Sequence, residues 1–210
     1  MNGLLNELRS LRKIFPGKFL IPEEVRREVV ERPLKIKKFE LEAIKLKQLI
    51  DEKVLEFPDS VGVDERNVAK ETENFLNSAN NAFYTVNGRE IHLIDAGEAA
   101  CLALNKLLKS KGFDSVFVVD ERTTRLLSER PENLRKILEK KIHTKISMKK
   151  DNLKNFSGIK IIRSAELMYL AYKKDLVGLK DKRILDAILY ALKDKGCAIS
   201  TEEIENLKKV

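Results

Sequence analysis

The sequence predicts a single α/β domain, and three observations lead to it. Short β-branched runs alternate with amphipathic helical stretches along the chain, the order that places helices on a mostly parallel sheet. One run, Val116-Phe117-Val118-Val119, has no polar alternation, as suits a strand covered on both faces. One helix, over residues 95–111, is apolar nearly all round at Ala99-Ala100-Cys101-Leu102-Ala103-Leu104, as suits a helix at the centre of a domain. The 210 residues are enough for one sizeable core.

The elements follow in order. Residues 2–15 read as a helix and Lys18-Phe19-Leu20-Ile21 as a short strand. Pro22 opens the next helix, where its missing N–H costs nothing. That helix runs from Glu23 to about Arg32 and stops before Pro33. An apolar stripe at Phe39, Ala43, Leu46, Ile50 and Val54 gives a helix over 37–55. A second stripe at Val68, Thr72, Phe75, Leu76, Ala79 and Phe83 gives a helix over 64–83, with Asp64 as its N-cap. With Pro58 and Gly62 in the turn, these two are expected to pair antiparallel, and 37–92 reads as a helical insertion. After the buried helix and the 116–119 strand come helices over 121–129 and 132–141. A strand follows at Ile159-Lys160-Ile161-Ile162, then a helix over 165–174 capped by Ser164, and another over 182–194. The Ser200/Glu203 capping box opens the last helix.

Composition narrows the class. Apolar residues make up 43%, enough to build a core, and charged residues 35%, against about 25% in an ordinary soluble protein. No apolar run approaches the roughly 20 residues that cross a bilayer. The leucines of the N-terminus are interrupted by charges, unlike a signal peptide. Cys101 and Cys197 make no disulfide framework, and no Cys/His cluster has zinc spacing. The expectation is a cytoplasmic protein with no membrane partner.

In open α/β sheets, chemistry gathers at the carboxyl ends of the strands. Asp120 and Glu121 directly follow the 116–119 strand, and Asp95 and Glu98 open the buried helix. A strand end and a helix start can bring carboxylates together, and such clusters suit Mg²⁺ or Mn²⁺. An ion of that kind activates water and stabilises phosphodiester charge in transfer. The same residues have plainer uses. Asp95 and Glu98 have capping-box spacing, and Asp120 can cap the helix from Glu121.

The motifs occur in a familiar order. Phe19-Leu20-Ile21-Pro22-Glu23-Glu24-Val25 through Glu28-Val29 is a strand-to-helix segment. Gly97-Glu98-Ala99-Ala100 follows, then Val118-Val119-Asp120-Glu121-Arg122, then Ile159 to Leu167, Ile184-Leu185-Asp186-Ala187 and Cys197-Ala198-Ile199-Ser200. Outside 37–92, the chain resembles the PIN-domain family. The resemblance implies a three-layer α/β/α Rossmann-like sandwich with a short, mostly parallel central sheet. It implies a Mg²⁺- or Mn²⁺-dependent ribonuclease, often a homodimer and often a toxin paired with an antitoxin protein. By matching position, Glu28, Glu98, Asp120 and the adjacent Glu121 would form the acidic site, with Glu98 and Asp120 as metal ligands and Ser164 beside it. The family's opening strand, ending in Asp, has no counterpart here. Met1-Asn2-Gly3-Leu4 fits the continuation of such a strand, so the codons just upstream of Met1 are expected to encode it.

The charge excess is local. Lys and Arg number 41 against 33 Asp and Glu, a net charge of +8. Residues 130–163 alone hold eleven Lys/Arg and three acids. Such a surplus beside a candidate site suits RNA, bound through phosphate and sensitive to salt. Lys140, Lys141, Lys149 and Lys150 are the candidate contacts. Arg125 either binds phosphate or pairs with Glu121 one turn back.

Overall fold

The computed structural model describes residues 3–209. Helix α1 (Leu5–Ile14) is followed by α2 (Glu23–Arg26), which runs through a π-helical turn (Arg27–Glu31) into α3 (Arg32–Leu34). The helix therefore does not stop before Pro33. Arg32 N–H reaches back to the Arg27 carbonyl, one residue beyond α spacing. This wider turn admits a residue that has no N–H and whose ring would press on the carbonyl four residues back.

Helix α4 (Glu40–Asp51) leads to a 3₁₀ turn (Pro58–Val61) closed by Gly62 at φ 72°. In α5 (Glu65–Asn80), Arg66 N–H donates to the Asp64 carboxylate at 2.8 Å, the expected cap. The helix α6 (Ala96–Ser110) buries Ala99, Ala100, Leu102, Ala103 and Leu104, as its sequence requires. Then come α7 (Arg122–Glu129), α8 (Pro131–Ile142), a 3₁₀ helix (Lys150–Phe156), α9 (Ser164–Lys173), α10 (Ile184–Asp194) and α11 (Thr201–Lys209). The Ser200/Glu203 box forms in both directions, at 2.8 and 3.1 Å.

The architecture is mixed α/β and mostly helical, and its strands form two separate pairs. β2 (Phe117–Val118) and β4 (Ile161–Ile162) run parallel, with Phe117 opposite Ile161. β1 (Phe83–Thr85) and β3 (Ile146–Met148) run antiparallel, with Tyr84 opposite Ser147. The strand expected at 18–21 is reduced to a parallel bridge between Leu20 and Glu56. Pro22 follows at once and has no donor with which to extend the ladder. The helical stripe was expected to reach Phe83, but that residue instead begins β1. Asn80 turns the chain there, its side-chain oxygen accepting from Leu93 N at 2.6 Å.

Helix α5 lies along α6, while α4 packs on the π turn and α3, so α4 and α5 are not each other's main partners. The principal core joins Phe75 and Phe83 to Leu102, Leu127, Leu134 and Phe156. Phe75 meets Phe156 edge-on with ring centroids 5.2 Å apart. Burying each such side chain contributes about 1.5–3 kcal/mol. A second cluster, including Ala165, Leu189 and Ile204, packs α11 onto α9 and α10, and a third, including Leu11, Met168 and Ile188, seats α1. No helix among the described residues is long and apolar enough to cross a membrane.

Candidate functional site

The acidic residues fall into two groups. Glu28 sits in the π turn, and its carboxylate lies so close to Gly97 at the start of α6 that a methyl group there would collide with it. Glu98 accepts from Asp95 N–H at 2.8 Å, closing the start of its own helix. Burial raises the Glu98 carboxyl above its ordinary range, against that hydrogen bond, and the nearby charges of Glu121, Asp95 and Glu28 add to the rise. Cys101, one turn further along α6, is pushed up to about 12 by burial and then by Glu98 and Glu28. Glu28, Glu98 and Glu121 thus share one neighbourhood.

Asp120 belongs to the other group. Its two carboxylate oxygens accept from Ser164 N–H at 2.8 Å and from Ser164 Oγ at 2.7 Å. Its carbonyl accepts from Ala198 N–H at 3.1 Å. The Cys197 thiol beside it is pushed up to about 11 by burial and then by the hydrogen bond with Asp120. Asp120 therefore ties the end of β2 to the start of α9 and to the segment before α11. Ser164 is the first residue of that helix rather than its cap.

This arrangement corrects two expectations. The cap of α7 is Glu121, which accepts from Thr124 N–H at 2.7 Å, and not Asp120. Glu98 and Asp120 do not form a ready pair of metal ligands, because one carboxylate turns to its own helix start and the other lies between the donors of Ser164. Among the described residues, no three His, Cys, Asp or Glu side chains are placed to hold one ion. The described residues therefore present no preformed three-ligand cage for an ion.

The basic residues make a different feature. A cleft of about 610 Å³ is lined by the cations Arg122, Arg125, Arg130, Lys136 and Arg163, by Asn133, and by the carboxylates Glu129, Glu166 and Glu203. Arg122 and Arg125 come from α7, and Asn133 and Lys136 from α8, each pair three residues apart and so on one face. Pro131 opens α8 directly after α7 and sets the two helices around the cleft. Ile161 and Ile162 of β4 contribute apolar wall.

Arg125 does not pair with Glu121, which is occupied as a cap. It faces Glu129 instead at 3.9 Å, and its buried Nε has no hydrogen-bond partner. Arg163 is held by Glu166, by Glu203 at 2.8 Å and by the Ala198 carbonyl at 3.0 Å. Burial opposes its charge, but the hydrogen bonds to Glu166 and Glu203 outweigh burial and hold the guanidinium above its ordinary value. Arg163 is thus a brace for α11.

Of the expected contacts, Arg125 lines the cleft, whereas Lys140 and Lys141 close α8 and Lys149 and Lys150 follow β3. Ser164 serves Asp120. Arg122, Arg130 and Lys136 are cleft residues that the sequence did not single out as contacts. The three-residue spacing on each helix was the available signal. The ion pairs within 122–163 all belong to Arg125, Arg135, Lys154, Lys160 and Arg163. Among the described residues, Arg122, Arg130, Lys136, Lys140, Lys141, Lys145, Lys149 and Lys150 form none.

No known family, curated protein sequence or solved structure matches the chain.

Proposed function

We propose that this chain is a PIN-like module that binds RNA through the α7–α8 cleft without assembling a metal centre of its own. The observation that carries the reading is the run of cations left without ion pairs. Arg122, Arg130 and Lys136 line the cleft, are exposed and form no ion pair, so they can meet an external polyanion. The apolar wall of Ile161 and Ile162 supports a bound strand rather than loose counterions. In this reading, β2, β4 and the Leu20–Glu56 bridge belong to one short parallel sheet between helical layers.

A second reading keeps the ribonuclease activity that the resemblance implies. The shared neighbourhood of Glu28, Glu98 and Glu121 favours it, and the lack of three convergent ligands opposes it. One experiment separates the two. Labelled single-stranded RNA is titrated with protein in EDTA and in Mn²⁺, and the same samples are run on a denaturing gel. Tight binding in EDTA with intact RNA in both is expected, and Arg122→Glu with Arg130→Glu should abolish that binding. Cleavage in Mn²⁺ that Glu98→Gln removes would establish the nuclease instead. No binding under either condition would return the cations to a solvated surface.

A further inference from the structure

Lys149 and Lys150 lie outside the cleft that the proposed function uses, and their surroundings have a chemistry of their own. β1 and β3 are paired so that Phe83 and Ile146 face the core, at 0% and 3% exposure. Alternation along a strand then puts Tyr84 and Ser147, which are directly opposite each other, on the outer face. Lys145 and Lys149, two residues either side of Ser147, extend on the same face, within diagonal reach of the ring. The Lys149 ammonium stands 5.4 Å from the centre of the Tyr84 ring. Beyond Tyr84, Val86 is 71% exposed. The outer face therefore carries a half-buried aromatic ring, an exposed apolar side chain and two cations without ion pairs.

The chain leads from the cleft to this hairpin. Helix α8 packs on β3. Its Lys136 lines the cleft, and Lys140, four residues on, is exposed on the same helical face. The chain then passes through His143, in the left-handed region at φ 52°, directly to Lys145 and the hairpin. Along the chain, unpaired cations thus run from Lys136 in the cleft lining through Lys140, Lys141 and Lys145 to Lys149 at the ring.

Resting on the RNA-binding reading, we infer that the outer face of the β1–β3 pair is a base-stacking platform for single-stranded RNA emerging from the cleft along α8. Every base has a π face, so a ring flanked by cations binds single strands without regard to sequence. An exposed ammonium–ring contact is weaker than a stacked base. A base therefore displaces Lys149 from the Tyr84 ring and leaves its ammonium for the neighbouring phosphate. Bases paired inside a duplex are not available to the platform. Glu90, bridged to Tyr84 across the other edge, is an acid on the neighbouring backbone and opposes the strand.

The test compares single-stranded RNA, the matching duplex and inorganic polyphosphate, which has charge but no bases. Tyr84→Ala should weaken single-stranded RNA binding at least about fivefold and leave polyphosphate binding unchanged. Tyr84→Phe should retain wild-type affinity, and Glu90→Gln should tighten binding to single strands. Unchanged polyphosphate binding also shows that the variants are folded. Single-stranded RNA affinity unaffected by Tyr84→Ala, or a loss equal for polyphosphate, overturns the platform and leaves the cleft reading intact. A wild-type protein that binds polyphosphate but no RNA overturns both.

Discussion

Replacing Arg122, Arg130 and Lys136 together by alanine should flatten the salt dependence of RNA binding. These three are among eight cations between residues 122 and 150 that form no ion pair. Each phosphate neutralised on a single strand adds about −0.7 to the slope of log affinity against log salt. Eight contacts would give about −5.6, so affinity would fall about 2,000-fold between 50 and 200 mM salt. With three contacts removed the slope becomes about −3.5, and the same interval costs only about 130-fold. The full set of eight is a ceiling, but the difference of about two in slope depends only on the three residues replaced. Arg122, Arg130 and Lys136 are all exposed, so alanine should leave the fold intact. Anisotropy titrations at four salt concentrations measure both slopes. Parallel lines for wild type and variant would refute the assignment of the cleft.

Other outcomes follow from the packing and the charge network. Phe75→Ala should cost about 3–5 kcal/mol in urea unfolding, because it empties a fully buried site against Phe156; a cost below about 1 kcal/mol would mean that the core collapses readily around it. Arg163→Met strands Glu166, Glu203 and the Ala198 carbonyl. It should cost about 1–3 kcal/mol, since both carboxylates stay partly solvated, and Glu203→Gln, which keeps an acceptor, clearly less; equal losses would remove the charge argument. Glu56 accepts from Lys18 at 2.6 Å and Arg12 at 3.1 Å. The Lys18 hydrogen bond, against burial and with help from Arg12, holds its carboxyl below the usual 4.5. A depressed folded pKa stabilises fully above the unfolded value and ceases to do so as pH falls through the folded one. Glu56→Gln should therefore lower Tm at pH 7 and converge with the wild type as pH falls below the ordinary carboxylate range, whereas a gap that persists in acid would contradict the linkage.

Helices were legible in the sequence where their signals are local. Three- and four-residue stripes located α4 and α5, an all-round apolar run located α6, and Asp64 and the Ser200/Glu203 box mark their helix starts with bonds at 2.8 Å. These signals act within one turn and do not depend on distant chain. The π turn was not legible, because it arises where a proline is retained inside a packed helix. The β1–β3 pair was not legible either. An apolar Phe83 satisfies a helical stripe and a strand equally, and its partner Met148 lies far along the chain.

For the candidate site the division is sharper. Residue types alone determined that the chain is cation-rich, that the excess lies downstream of residue 130, and that Glu98 and Asp120 stand at element ends. Only the tertiary structure decided which of those charges stay free. Asp120 was committed to Ser164 once α9 began beside the end of β2, and Arg163 was committed to Glu166 and Glu203 once α11 docked. Arg122, Arg130 and Lys136 were left without ion pairs. The reason is the short range of these bonds. A carboxylate or guanidinium is neutralised only by a partner within about 4 Å, and which partner comes that close depends on how distant helices pack.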